Sequence, residues 1–264
     1  MAPIRTVGTL ILAGAIVALG CPAASPSAGQ PPERANVHID DGTIDGSIIK
    51  EYDNVWMMTI HYADGRVVER GLSTDHVRMR QVDGKRYMTR TEATASVVGK
   101  TDSMPSSNYS MTFNVFDPIT MRPLVGESYS SSGGPEIRHF AGKHVTTTTR
   151  QLGAPDRTIE TDTAEEVFDV HGGMTGLLIA ALPLKAGYRT NLPGIGDAGF
   201  DTTAVRVLRE ESIPGGHLGR LKTWVVEVDE GSSTSTYWVQ KSPPYVIRVT
   251  VNAINAFASW DIIP

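Results

Sequence analysis

From residue 55 onward the chain is built of short apolar or alternating runs punctuated by Gly, Pro and Asp, the signature of antiparallel strands. Residues 55–62 (VWMMTIHY) are β-branched and aromatic; Asp64-Gly65 follows, then residues 67–72, which predicts a hairpin. Residues 76–82, Asp83-Gly84 and residues 85–91 predict a second, and residues 109–116 end at Asp117-Pro118. Further strands are predicted over 124–130, 136–140, 144–150, 204–210, 221–228, 235–240 and 245–251. In the last of these, Tyr245, Ile247, Val249 and Val251 share one face, with Arg248, Thr250 and Asn252 on the other. Residues 174–182 (MTGLLIAAL), stopped by Pro183, break the pattern and predict one short buried helix that closes or plugs the sheet. Leu177, Leu178 and Leu182 form a stripe facing the sheet, which leaves Ile179 toward a neighbouring strand or a ligand. The predicted fold is mainly all-β: a curved antiparallel sheet, as an open barrel or a sandwich, with one short helix.

The N-terminal pattern is different. Arg5 precedes an unbroken apolar run over residues 10–19 (LILAGAIVAL), too short to span a bilayer but suited to a signal peptide. The lone cysteine, Cys21, closes the sequence VALGC, which resembles a bacterial lipobox with Ala18 where Leu is usual. The expected organisation is a signal peptide over 1–20, a lipidated Cys21 with a Pro/Ala/Ser-rich tether over 21–36, and one β-rich domain over 37–264. That implies a lipoprotein held at the bacterial outer membrane by its acyl chains and facing the periplasm. The alternative is ordinary signal cleavage after Ala24 or Ala28, which discards Cys21 and leaves a periplasmic protein.

Composition narrows the chemistry. The chain has 264 residues, 40% hydrophobic and 20% charged, with a formal net charge of -5, which argues against a nucleic-acid partner. A single cysteine excludes an intrachain disulfide. Motifs that could name a reaction are incomplete. Residues 41–48 (DGTIDGSI) begin like a calcium loop, but the twelfth position is Tyr52. Residues 194–199 (GIGDAG) match G-x-G-x-x-G, yet Pro193 precedes them and a β-like run follows, so they read as a loop. His139 and His144 flank a turn as surface histidines, and Ser47-Ile48-Ile49-Lys50 lacks the partner motifs of serine acyl enzymes. No catalytic residue, metal or cofactor is assigned. Arg66, Arg70, Arg78, Arg80, Lys85, Arg86 and Arg90 concentrate in the first two hairpins and read as a solvated outer face, or as a patch for anionic headgroups.

The C-terminal third carries Leu182-Pro183-Leu184-Lys185-Ala186-Gly187, Pro214-Gly215-Gly216, Tyr237-Trp238-Val239 and a final strand with Arg248, and residues 117–124 read DPITMRPL. This order resembles an uncharacterised bacterial envelope family, a domain of unknown function, similar in fold to the half-open β-barrels of lipoprotein-carrier type. The resemblance implies a curved sheet around a helix that can hold acyl chains, and it carries over no catalytic residue. The expected function is therefore binding of an apolar or amphipathic ligand, or of an envelope protein partner; an exported hydrolase with an unseen site and a structural scaffold are the alternatives. The residues expected to line a ligand groove are Trp56, Met58, Met111, Phe113, Leu178, Trp224 and Trp238, since Met and aromatic side chains adapt to apolar ligands.

Overall fold

Asp83 and Gly84 both take positive φ, 50° and 78°, and so close a two-residue turn between strands that pair from Val82 and Lys85 outward. Turns of this kind repeat along a computed structural model of the chain. It describes residues 35–263 apart from 64, 66, 101–102, 132, 152, 171–173, 197–198 and 232. Cys21, the apolar run before it and Arg66 lie outside the described residues. Fifteen strands form one sheet. They are β1 (Tyr52–Tyr62), β2 (Val67–Val82), β3 (Lys85–Lys100), β4 (Ser103–Phe116), β5 (Pro123–Ser130), β6 (Gly133–Ala141), β7 (His144–Thr149), β8 (Arg157–Asp162), β9 (Phe168–Asp169), β10 (Arg189–Gly196), β11 (Gly199–Pro214), β12 (Arg220–Asp229), β13 (Ser233–Val239), β14 (Val246–Ala253) and β15 (Ala256–Ile262). One helix, α1 (Met174–Ala181), packs inside. No helix among the described residues is long and apolar enough to cross a membrane.

The strand order is 8-7-6-5-4-3-2-1-15-14-13-12-11-10-9, two antiparallel meanders joined where β1 pairs β15, with the short β9 added in parallel beside β10. The sheet is curled but no backbone ladder joins its ends. Instead β9 approaches the first meander through side chains. Asn114 Nδ2 on β4 donates to Asp169 Oδ2 at 2.9 Å, and Arg138 of β6 lies 3.6 Å from the other carboxylate oxygen. Phe140, Val145, Val167 and Ile195 form a small apolar cluster beside this contact. The mainly all-β expectation with one short helix thus holds, in the form of a single open curved sheet.

Several local features differ from the sequence reading. The predicted strands 67–72 and 76–82 are one sixteen-residue strand, β2. Gly194 and Gly196 are strand residues of the β10–β11 hairpin rather than loop. Gly194 is glycine because a Cβ there would sit 2.7 Å from Val170. Ala35 and Asn36, expected at the end of the tether, pair with β10: Asn191 N donates to Ala35 O, and Val37 N to Asn191 O. In β14 a register shift opposite Trp238/Val239 puts Val246, rather than Ile247, on the same interior surface as Val249 and Val251. Ile247 is still 1% exposed.

The helix is apolar all round and all eight residues are buried, as a helix enclosed by a sheet requires. A Cβ on Gly176 would lie 2.8 Å from Val246, so glycine allows the helix to approach β14. At the other end Lys241 Nζ donates to Ala180 O at 2.8 Å and to Leu182 O, placing a cation at the C-terminal end of the helix. Burial lowers the Lys241 pKa, partly opposed by Asp45.

Candidate functional site

The alternation in β2 and β3 is largely inverted relative to an ordinary half-buried sheet. On β3 the interior positions are Met88, Arg90, Glu92, Thr94, Ser96 and Val98; on β2 they are Glu69, Gly71, Ser73, Asp75 and Val77. The outer positions carry Met57, Leu72 and Val97, each more than half exposed, with Tyr109 and Tyr129 in ring contact nearby. The second meander is conventional, with its apolar face inward. One row of paired residues shows the changeover: Asn108, Ser96 and Gly71 are polar or small, and Met58, Trp260, Val249, Tyr237, Val226 and Val207 continue it as an apolar row.

Where the two surfaces face each other, α1 does not fill the interior, and a trough remains. Its deep chamber, of about 210 Å³, is walled by Tyr52, Trp56, Leu177, Tyr237, Val249 and Trp260 on the apolar side and by Asp75, Arg90 and Glu92 on the polar side. An outer chamber of about 360 Å³ shares Glu92 and Trp260 with it and adds Met58, Ile60, Glu69, Thr94, Asn108 and Ser110. From Asp75 to Glu69 the wall runs along seven residues of β2, roughly 20 Å at the strand rise.

The polar wall is a connected network. Arg90 Nε lies 2.8 Å from Asp75 and Nη2 2.8 Å from Glu92, and Tyr52 donates to Asp75 at 2.8 Å. Glu92 also accepts from Ser73 at 3.2 Å, which in turn accepts from Thr94 at 2.9 Å. Burial works against the Arg90 charge, but the negative charges of Asp75 and Glu92 outweigh it and hold its pKa above the ordinary arginine value. Burial, then the Asp75 charge, raises the Tyr52 hydroxyl far above the usual tyrosine range. At the outer end Glu69 is 6% exposed and accepts from Tyr62 at 3.0 Å, Asn108 at 3.3 Å and Ser96. Asp75 and Glu92 face each other across the β2–β3 ladder, yet Arg90 binds both. Asp75 and Glu92, tied to one guanidinium, put hydrogen-bond acceptors on the chamber wall.

Of the residues expected to line a groove, the structure brings Trp56 and Met58 to the trough. Leu178 is buried in the core, where Gly176 and Leu177 supply the helix's share of the wall. Trp224 packs against the main core without lining either chamber. Met111 and Phe113 alternate with the inward Asn114 and Ser110 and so lie on the outer face, Met111 at 38% exposed. Trp238 is also outward, with the Arg248 guanidinium 5.6 Å from its ring centre. Arg90, read as part of an outer basic face, is 3% exposed and inside; Arg78 and Asp53 do form an outer pair at 2.5 Å. The sequence reading missed Asp75, Glu92, Glu69, Tyr237 and Trp260. The available signal was the i, i+2 spacing of Arg90, Glu92, Thr94 and Ser96, which puts all four on one face. The carboxylates of the calcium-like segment are used locally: Asp41 accepts from Thr43 N and His38 N at 2.7 Å each, and Asp45 from Ser47 N at 3.1 Å. His144 pairs with Asp162 at 2.8 Å rather than with His139, which lies opposite Thr146.

Comparison with solved structures supports the fold. The crystal structure of a β-barrel-like protein of domain of unknown function DUF1849 from Brucella abortus superposes with a TM-score of 0.57 at 9% identity, covering 81% of this chain and 95% of that one. No curated protein matches the sequence. Residues 57–257, from the middle of β1 into β15, match the family described as protein of unknown function (DUF3108). With well over half of its length inside that match, the chain belongs to the DUF3108 family.

Proposed function

We propose that this domain is a binding module that holds an apolar or amphipathic small molecule in its interior trough. The observation that carries the reading is the change in character around the inside of one sheet, apolar from Met58 to Val207 and polar from Gly71 to Asn108, with unfilled volume between the two. A pocket with one apolar wall and a few placed polar groups is the usual form of a small-molecule site. The test is titration of the full chain with a fluorescent monoacylglycerol analogue, a neutral probe. Saturable binding is expected, weakened when Val251→Trp fills the deep chamber without charge change. A folded protein that binds no such probe saturably overturns the reading.

The proposal extends to location. The apolar run over 10–19 ending at Cys21 supports export to the bacterial envelope, with acylated Cys21 tethering the domain to the outer membrane on its periplasmic side. Intact mass of the membrane-extracted protein should show acyl chains on a chain starting at Cys21; a mature N-terminus beyond it refutes the anchor. A second reading, an envelope protein partner, is favoured by the exposed outer row of Met57, Leu72 and Val97. Crosslinking from that face in whole cells tests it, and loss of crosslinks in Leu72→Asp is the expected result.

A further inference from the structure

The trough's polar wall carries three carboxylates to one guanidinium. Asp75, Glu92 and Glu69 are carboxylates, and Arg90 is the one cationic residue among those lining the two chambers. Arg90 is already shared between Asp75 and Glu92. Glu69 takes its hydrogen bonds from neutral groups, the Tyr62 and Ser96 hydroxyls and the Asn108 amide. Thr94 and Ser110 add hydroxyls but no charge. Glu92 is the carboxylate common to both chambers, and its side chain is 23% exposed, so a ligand can reach it where Asp75, at 9%, is screened by Tyr52 and Arg90. Trp260, which also lines both chambers, stands on the apolar side at the same level.

We infer that the trough selects amphipathic molecules bearing a protonated amine, with the ammonium hydrogen-bonded to Glu92 and the apolar body laid along Trp56, Met58, Val249 and Trp260. An ammonium is all donor, and a carboxylate is all acceptor. An anionic headgroup of equal length would enter a low-dielectric space already holding surplus negative charge, which raises its cost of desolvation. Glu69 gives a second, outer position for the same interaction. The inference rests on the trough being a ligand site and adds the sign and chemistry of the ligand.

The experiment compares dodecylamine, dodecanol and dodecanoic acid on the full-length protein, each below its micelle-forming concentration, by competition against the neutral fluorescent probe. Expected is that the amine binds about tenfold or more tighter than the alcohol, the ratio one charge-assisted hydrogen bond supplies. The acid should bind more weakly than either. Glu92→Gln should bring the amine-to-alcohol affinity ratio down to about one, whatever it does to the affinity for the alcohol itself. Glu69→Gln, at the outer chamber, should have a smaller effect in the same direction and serves if Glu92→Gln does not fold. Equal affinities for all three compounds, or an amine preference that survives in both variants, overturn the inference while the trough remains a ligand site. Failure of all three to compete overturns both.

Discussion

Removing the Arg90 guanidinium should be among the most damaging single changes in the domain. Arg90 is 3% exposed, with Asp75 at 6% and Glu92 beside it. Arg90→Leu keeps an apolar stem of similar length but leaves Asp75 with the Tyr52 hydroxyl as its remaining 2.8 Å donor. Removing one member of a buried ion network costs about 3–5 kcal/mol, because the partners stay charged and desolvated. For a domain of this size each kcal/mol shifts Tm by roughly 2–4 °C, so a fall of about 6–20 °C is expected. The assay is thermal and urea unfolding followed by far-ultraviolet circular dichroism. The triple variant Asp75→Asn, Arg90→Leu, Glu92→Gln supplies the control, since it removes the orphaned charges and should recover most of the loss. The reasoning is refuted by an Arg90→Leu midpoint within about 2 °C of the parent, or by a triple variant as unstable as the sum of its singles.

Other expectations follow from single contacts. Ile247→Ala should cost about 2–5 kcal/mol in urea unfolding, and Thr250→Ala no more than roughly 0.5 kcal/mol; equal losses would misplace the β14 surfaces. Lys241→Met should destabilise by about 1 kcal/mol and speed amide exchange in the last turn of α1, because the Ala180 carbonyl loses the Lys241 ammonium and Leu182 O keeps only the Leu184 N–H. Donating a hydrogen bond to the Asp162 carboxylate raises the His144 pKa above the ordinary histidine value. A raised folded pKa means that the pair's contribution is complete at acid pH and fades as pH rises through that value. Proton chemical shifts should show His144 titrating above pH 6.5, and Asp162→Asn should move it back down.

The all-β class, the hairpin turns and α1 were legible because each has a local cause: Asp-Gly at turns, β-branched runs, and a Leu/Ala stretch stopped by Pro183. The strands that escaped notice lack those causes. Every residue of β8 but Thr161 is exposed, so the strand shows no apolar alternation. The β10 strand contains Pro193 and two glycines, which read as breakers. In β2 the polar stretch Ser73-Thr74-Asp75 looked like a gap between two strands because polar residues were assigned to solvent. The same assumption sent Arg90 to the outside and Met111 and Phe113 to the inside. Alternation fixes which residues share a face, but only tertiary contacts decide which face is wet. Here an interior of carboxylates and hydroxyls reverses the usual answer along β2 and β3.

The way the sheet's two ends meet has a consequence for its girth. In a fully closed barrel the circumference is set by strand number and stagger, and changing it means breaking a ladder of backbone hydrogen bonds. Here the circumference is set by a clasp: Asp169 held by Asn114 and Arg138, with four apolar side chains behind. Gly126 leaves the room for it, since any Cβ there would collide with the Asp169 carboxylate. Arg122, which pairs with Glu166, and Gly46 N, which donates to Ile119 O, add to the clasp, so parting the ends costs several polar contacts and their packing but no strand pairing. The bore of the molecule is thus adjustable independently of its secondary structure. A single substitution such as Gly126→Ala or Asp169→Asn is expected to change the aperture and to leave the hairpin pairings intact.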